Sequence, residues 1–288
     1  WGPWFVVQPV KLPLWQGWYA MRRGRSQLTW GRPVSTNELE QLRTALPSMQ
    51  RALNLSKLQQ AGLAPVGPPE LIDGTLLVFI TPQSPSFPEG LPLDGILLSQ
   101  RFASQRCSPD EATRIAGQLA DALAALHKIG VPHGRVLPDR IYFHAQQTVL
   151  AIDPLCARTG SPNVQAADAA TAGLIGHQLQ LEQVAEFSAP ELLLTDSLPT
   201  PASDVYSLGC VWWWLLTGKP PTMIQPVLPT LPAGCDLREP LQLCLQACLA
   251  RNPSSRFASA VELTHALAAA ERAMPISLVN PKQQAAPA

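Results

Sequence analysis

Charge is scarce in this chain. Lys, Arg, Asp and Glu make up 15% of its 288 residues and cancel to a net charge of +0. Without an excess of one sign there is no long-range pull on nucleic acid or on an anionic membrane surface, so neither is an expected partner. Long apolar runs are missing too. Val205 to Leu216 is the most apolar stretch, and it falls short of the roughly 20 residues that a bilayer requires. No signal-peptide pattern is present, and the first residue is Trp1 rather than Met. These features lead to the expectation of a processed product or a segment cut from a longer protein, whose missing parts hold its output.

Cysteine pairing motifs are also lacking. The 6 cysteines form no C-x-x-C pair. Cys244 and Cys248 would share one helix face, but no His or carboxylate at ligand spacing joins them, so they read as buried thiols. Unpaired thiols fit a reducing, cytoplasmic compartment.

Proline and hydrophobic residues are abundant. The 30 prolines are about twice the usual share. They cluster at Pro65 to Pro69, Pro82 to Pro92 and Pro220 to Pro240, where regular helix is barred and connections are expected. Hydrophobic residues at 46% allow a sizeable core.

The pattern changes along the chain, and no internal repeat interrupts it. Trp15 to Met21 and Ser26 to Trp30 are short and β-prone. Ser35-Thr36-Asn37-Glu38 is a helix start. Leu39, Leu42, Leu46, Leu53 and Leu58 continue at helical spacing to Gln60, with an interruption at Pro47. Asp73-Gly74 marks a hairpin within Leu71 to Ile80. From Ser108 the reading is helical. Ser108-Pro109-Asp110-Glu111 is a capping box, followed by a stripe of Ile115, Leu119, Leu123 and Leu126 that Gly130 ends. A small hairpin is expected at Ile141 to Phe143 with Val149 to Ile152. A long mobile segment is expected at 155 to 187. Helices follow at Pro190 to Leu194, Ser203 to Thr217, Glu239 to Ala250 and Ser259 to Ala273. The division is therefore a strand-rich lobe at 1–92 with one long helix, a mainly helical lobe at 93–273, and a frayed tail at 274–288. This is an α+β class with a cleft between two lobes.

Six motifs then occur in one order. His133-Gly134-Arg135-Val136-Leu137-Pro138-Asp139-Arg140-Ile141 resembles the catalytic loop of eukaryotic-type protein kinases, H-R-D-x-K-P-x-N-[IVL]. Leu126 to His133 resembles its lead-in. Asp153 to Arg158 resembles D-F-G-L-A-R, and Ala189-Pro190-Glu191 is an A-P-E. Ser203 to Gly209 with Leu216 to Pro221, and Arg251 to Arg256, complete the set. The resemblance covers residues 117 to 267 and implies the bilobal protein-kinase-like fold, in a degenerate Ser/Thr kinase-like member, a pseudokinase.

The resemblance assigns roles residue by residue. His133, Asp204, Glu191 and Arg256 fall at structural positions. Asp204 would accept bonds from catalytic-loop N–H groups, and Glu191 and Arg256 would form a buried ion pair. Ser188 to Glu191 also reads as a capping box. The chemical positions are changed. Arg135 stands for the base Asp, Leu137 for the phosphate-facing Lys and Arg140 for the metal-binding Asn. Gly134 replaces the Arg that receives an activation-segment phosphate, which leaves Thr159, Ser161 and Thr171 as surface hydroxyls. Arginine cannot act as a base, since its pKa exceeds about 12. Phosphoryl transfer needs that base together with Lys and magnesium to hold the phosphates.

In the first lobe, Gln16-Gly17-Trp18-Tyr19-Ala20 resembles the end of a Gly-rich loop with one Gly instead of three. Gly31 falls near the strand-Lys position, with Arg32 beside it. Gly17 and Arg32 are thus the cofactor-contacting candidates. Glu38 and Glu40 lie at the helix start, away from the place of a mid-helix partner for that Lys. Asp153 either holds a magnesium ion or pairs with Arg135 or Arg140.

The expected function is a binding, scaffold or allosteric regulatory module without phosphotransferase activity, in signalling, with neither ATP nor magnesium as a working cofactor. Its partner would be a protein or the flanking domains. A weakly active or atypical kinase, a nucleotidyl transferase using Asp153, and a nucleotide sensor without turnover are the alternatives. Trp212-Trp213-Trp214 span about 200 degrees of a helix, so two are expected in the core and one can face outward.

Overall fold

The computed structural model describes residues 4–9, 19–23, 29–34, 54–58, 60, 62–64, 66–72, 75–80, 96–103, 106–144, 146–151, 185–194, 197–221, 231 and 235–272. The first lobe is built on an antiparallel sheet of β1 (Trp4–Pro9), β2 (Tyr19–Arg23), β3 (Thr29–Val34), β4 (Val66–Ile72) and β5 (Thr75–Ile80). Their order is β1-β2-β3-β5-β4. The pairing of Ile72 with Thr75 brackets Asp73-Gly74, which lie outside the described residues. Of the long helix expected up to Gln60, residues 54–56 are helical within the described set.

Two expectations for this lobe are corrected. Strand β1 was not anticipated, since its apolar residues do not alternate with polar ones: Phe5, Val6 and Val7 are all exposed. The Pro65–Pro69 cluster was expected to be a connection, yet β4 begins at Val66. It is tolerated because β4 is an edge strand and its register shifts between Gly67 and Glu70. Proline has no N–H for a ladder, so strands carry it at edges and bulges.

The second lobe is helical. Among the described residues it holds α1 (Leu98–Arg101), α2 (Pro109–Lys128), α3 (Pro190–Leu194), α4 (Pro201–Thr217), α5 (Glu239–Cys248) and α6 (Ala260–Arg272). A hairpin of β6 (Ile141–His144) and β7 (Gln147–Leu150) lies between α2 and α3. Helix α2 starts where Ser108 accepts a hydrogen bond from the Glu111 N–H at 3.2 Å. Its stripe of Ile115, Leu119, Leu123 and Leu126 is fully buried, and the helix packs against α4 and α6.

Helix α4 is the centre of this lobe, and nearly all its residues are buried. It begins two residues before the expected Ser203. Thr200 caps it, accepting from the Ser203 N–H at 3.2 Å while Ser203 Oγ accepts from the Thr200 N–H at 2.9 Å. Trp212 and Trp213 are buried and Trp214 is partly exposed. Gly209 is required by the neighbouring helix, because a Cβ there would lie 2.8 Å from Cys248 Cβ on α5.

The lobes meet along the hairpin. Ala64 N–H donates to Leu150 O at 2.9 Å, and Leu150 N–H donates to Gly62 O at 2.8 Å. Leu55, Leu63 and Val66 join the same apolar core as α2 and α4. Among the described residues no helix is long and apolar enough to cross a membrane.

Candidate functional site

The site is a loop, residues 133–137, running into a 3₁₀ turn at Pro138–Arg140 and then β6. Asp204, in the first turn of α4, holds its beginning. The Asp204 carboxylate is 1% exposed. It accepts from the His133 N–H at 2.5 Å, the Gly134 N–H at 2.7 Å and His127 Nε2 at 3.0 Å. A buried carboxylate without such donors would cost several kcal/mol, so the three bonds and the helix position depend on each other.

Two imidazoles have their tautomers set by backbone partners. His133 Nδ1 accepts from the Arg135 N–H at 3.1 Å, leaving Nε2–H to donate to Ala151 O at 3.2 Å. His127 Nδ1 accepts from the Ala260 N–H at 3.0 Å, leaving Nε2–H to donate to Asp204. His127 was missed in the sequence, where it figures only as part of a lead-in. Its signal was the His placed one position before the α2 C-terminus. Gly134 has φ +84°. The residue that replaces an Arg in sequence terms is thus also the one suited to a left-handed backbone, which aims its N–H at Asp204.

The second half of the loop is turned inward. Leu137 is 3% exposed and Arg140 is 3% exposed. Arg140 N–H closes the 3₁₀ turn on Leu137 O at 2.9 Å, and Arg140 O accepts from the Ala151 N–H at 2.8 Å. Asp139 accepts a hydrogen bond from Ser99 Oγ of α1. Arg135 is partly buried. Burial pushes the Tyr142 hydroxyl well above the usual tyrosine range, and the Arg140 charge beside it pulls back part of the way.

The structure brings Glu191 and Arg256 together as a two-pronged pair, at 2.7 and 2.8 Å. The guanidinium also donates to the carbonyls of Ala250, Ala202 and Arg251 and lies 4.7 Å from the Tyr206 ring centroid. Arg256 is fully buried and Glu191 is 24% exposed. Arg32 lies on β3 opposite Val78, and Gly31 is opposite Phe79. Gly17, Asp153, Glu38 and Glu40, the hydroxyls of Thr159, Ser161 and Thr171, and the 274–288 tail lie outside the described residues.

The described residues of this loop do not fit a magnesium nucleotide. A cation site needs oxygen donors, and Arg140 offers a guanidinium at the place of one, while Leu137 offers an isobutyl group at the place of a phosphate-facing cation. Among the described residues no group of three or more His, Cys, Asp or Glu is placed to hold a metal ion. What the geometry does is fix a loop backbone to α4.

The bilobal architecture and the order of these motifs are those of a protein kinase domain, and that family's profile matches residues 93–267. The chain belongs to this family. Serine/threonine-protein kinase PknB of Mycobacterium leprae is 30% identical over 167 residues, which is 54% of this chain and 25% of that protein. PknB of Mycobacterium tuberculosis is 29% identical over 184 residues, 59% of this chain and 28% of that protein. The chain therefore spans about a quarter of the length of these curated relatives. The PknI kinase domain of Mycobacterium tuberculosis superposes with a TM-score of 0.66 at 20% identity, covering 93% of this chain and 96% of that one. That likeness establishes the fold.

Proposed function

We propose that this chain is a catalytically silent kinase domain that works by binding. In this reading it is a scaffold or allosteric module of a longer cytoplasmic signalling protein, and its partner is a protein or its own flanking domains. One observation carries the proposal. Arg140, at the position of the metal-binding Asn, is buried at 3% exposure beside an equally buried Leu137. A fixed positive charge there opposes a divalent cation, and an apolar side chain offers a phosphate nothing. The frame that holds the loop, Asp204 with His127 and Glu191 with Arg256, is complete, so the chain keeps the shape that a partner reads. Buried thiols support the reducing compartment. Burial pushes the Cys210, Cys244 and Cys248 thiols up, away from the thiolate that oxidation needs.

The test is transfer of radiolabelled phosphate from ATP, with magnesium or manganese, to generic substrates and to the chain itself. The expected result is no transfer, and no thermal shift with ATP in either metal. Transfer to a hydroxyl would restore the weak-kinase reading, and transfer of the nucleotidyl group the Asp153 reading. A thermal shift without turnover would make the chain a nucleotide sensor.

A further inference from the structure

Helix α6 is buried along one side only. Ala260, Leu263, Leu267 and Ala270 are buried, and the helix packs against α2, α4 and α5. Glu262, His265, Glu271 and Arg272 are exposed. The helix opens from Ser259, whose carbonyl accepts from the Leu263 N–H at 3.3 Å. Ala260 is the first helical residue, so its N–H is one of the donors that a helix leaves without an internal partner. Here that donor is spent on another element. It reaches Nδ1 of His127, at the end of α2, at 3.0 Å.

The His127 ring and the Asp204 carboxylate are both 1% exposed. A neutral imidazole has one donor nitrogen and one acceptor nitrogen. The Ala260 N–H makes Nδ1 the acceptor, so the ring proton sits on Nε2 and points at Asp204 Oδ2, 3.0 Å away. The same oxygen accepts from the His133 N–H at 2.5 Å, and Oδ1 accepts from the Gly134 N–H at 2.7 Å. If Ala260 draws back, Nδ1 is left buried without a donor. Moving the ring proton to Nδ1 only transfers the fault, because Nε2 then presents a lone pair to the carboxylate. The seat of α6 and the anchor of the loop therefore share one proton position.

We propose that α6 is a regulatory lever: its first turn, through the proton position on His127, sets how firmly Asp204 holds His133 and Gly134. A partner or flanking domain that shifts α6 loosens the loop without touching it. This lever deepens the allosteric reading of the proposed function and rests on it for its use.

The experiment compares the unaltered chain with Ala260→Pro, His127→Phe and the double variant by NMR-detected hydrogen exchange. Proline is accepted at a first helical position and has no N–H to donate. Ala260→Pro is expected to speed exchange at His133 and Gly134 about tenfold, with amides inside α2 unchanged. The imidazole nitrogen shifts of His127 should lose the pattern of a pure Nε2–H tautomer. In the His127→Phe chain the loop amides should already exchange fast, and adding Ala260→Pro should change them by less than about twofold. Additive effects of the two substitutions, or unchanged loop exchange in Ala260→Pro, overturn the lever. So does a rise spread evenly over α2 and the loop, which is a loss of stability rather than a release of the loop.

A second measurement uses the unaltered chain and so does not depend on the variants folding. The amides of Ala260, His133 and Gly134 should show protection within about tenfold of one another, because they open together. A larger gap means that α6 lets go while the loop stays, and it overturns the lever. The phosphate-transfer test reads neither amide, so failure of the lever leaves the proposed function standing.

Discussion

The two halves of the loop differ in what holds them. His133 and Gly134 are tied by hydrogen bonds to a carboxylate on the central helix. Leu137 and Arg140 are held by burial and by the 3₁₀ turn that joins them. The first half is a matter of backbone geometry, and residue identity matters there at Gly134, for its positive φ, and at His133, whose ring bridges the Arg135 N–H and Ala151 O. The second half is a matter of side chains, and these have changed. A kinase loop can therefore lose its reactive groups without losing its course, because separate interactions specify the two.

The strongest way to break this comparison is Asp204→Ala. It leaves two buried N–H groups and the His127 N–H without an acceptor, and the expected loss is about 4 kcal/mol in denaturant unfolding. Faster hydrogen exchange at His133 and Gly134 should accompany it. Glu191→Ala comes next. It strands a buried guanidinium that keeps three carbonyl partners, with an expected loss of about 3 kcal/mol. Replacing the pair with apolar residues, Glu191→Leu with Arg256→Met, should cost less than Glu191→Ala alone.

Leu137→Lys sharpens the contrast from the other side. An open phosphate site would accept the longer cation, whereas a closed one loses about 2 kcal/mol, with Leu137→Met as the neutral control. Ser108→Ala removes a helix cap remote from the loop and should cost about 1 kcal/mol with no change in loop exchange. Alkaline pH gives the smallest effect. Burial, with Glu111 adding to it, raises the Cys107 thiol from 9.0 to about 12. The folded chain keeps a proton that the unfolded chain releases, so this contribution is full below pH 9.0 and is lost as pH rises towards 12. Denaturant midpoints taken between about pH 8 and about pH 10.5 should fall less steeply for Cys107→Ala.

The helical lobe was legible because helix caps and stripes are local. Ser108, the Ile115 to Leu126 stripe and Gly130 state α2 within a short stretch of sequence. The start of α4 was placed late because Ser203 was read as its opening. In the structure Ser203 answers the cap at Thr200. Strand β1 and the proline-rich start of β4 were not legible, because what admits them is their place at the two ends of the sheet, a property that no window of sequence contains, whereas the end of β4 was signalled by the Asp73-Gly74 turn.

The candidate site was legible as letters but not as environments. The substitutions at Arg135, Leu137 and Arg140 are visible in the sequence. The burial of Leu137 and Arg140, the positive φ of Gly134 and the part played by His127 depend on neighbours far along the chain.

The bond from the Ala260 N–H to His127 joins residues 133 positions apart. Ala260 opens the last described helix, and His127 leads directly into the loop through Asp204. During synthesis, α2, the loop and α4 leave the ribosome long before α6 does. Until α6 is present, His127 Nδ1 has no Ala260 N–H to accept from, so a contact that orients the loop's anchor is supplied by the end of the domain.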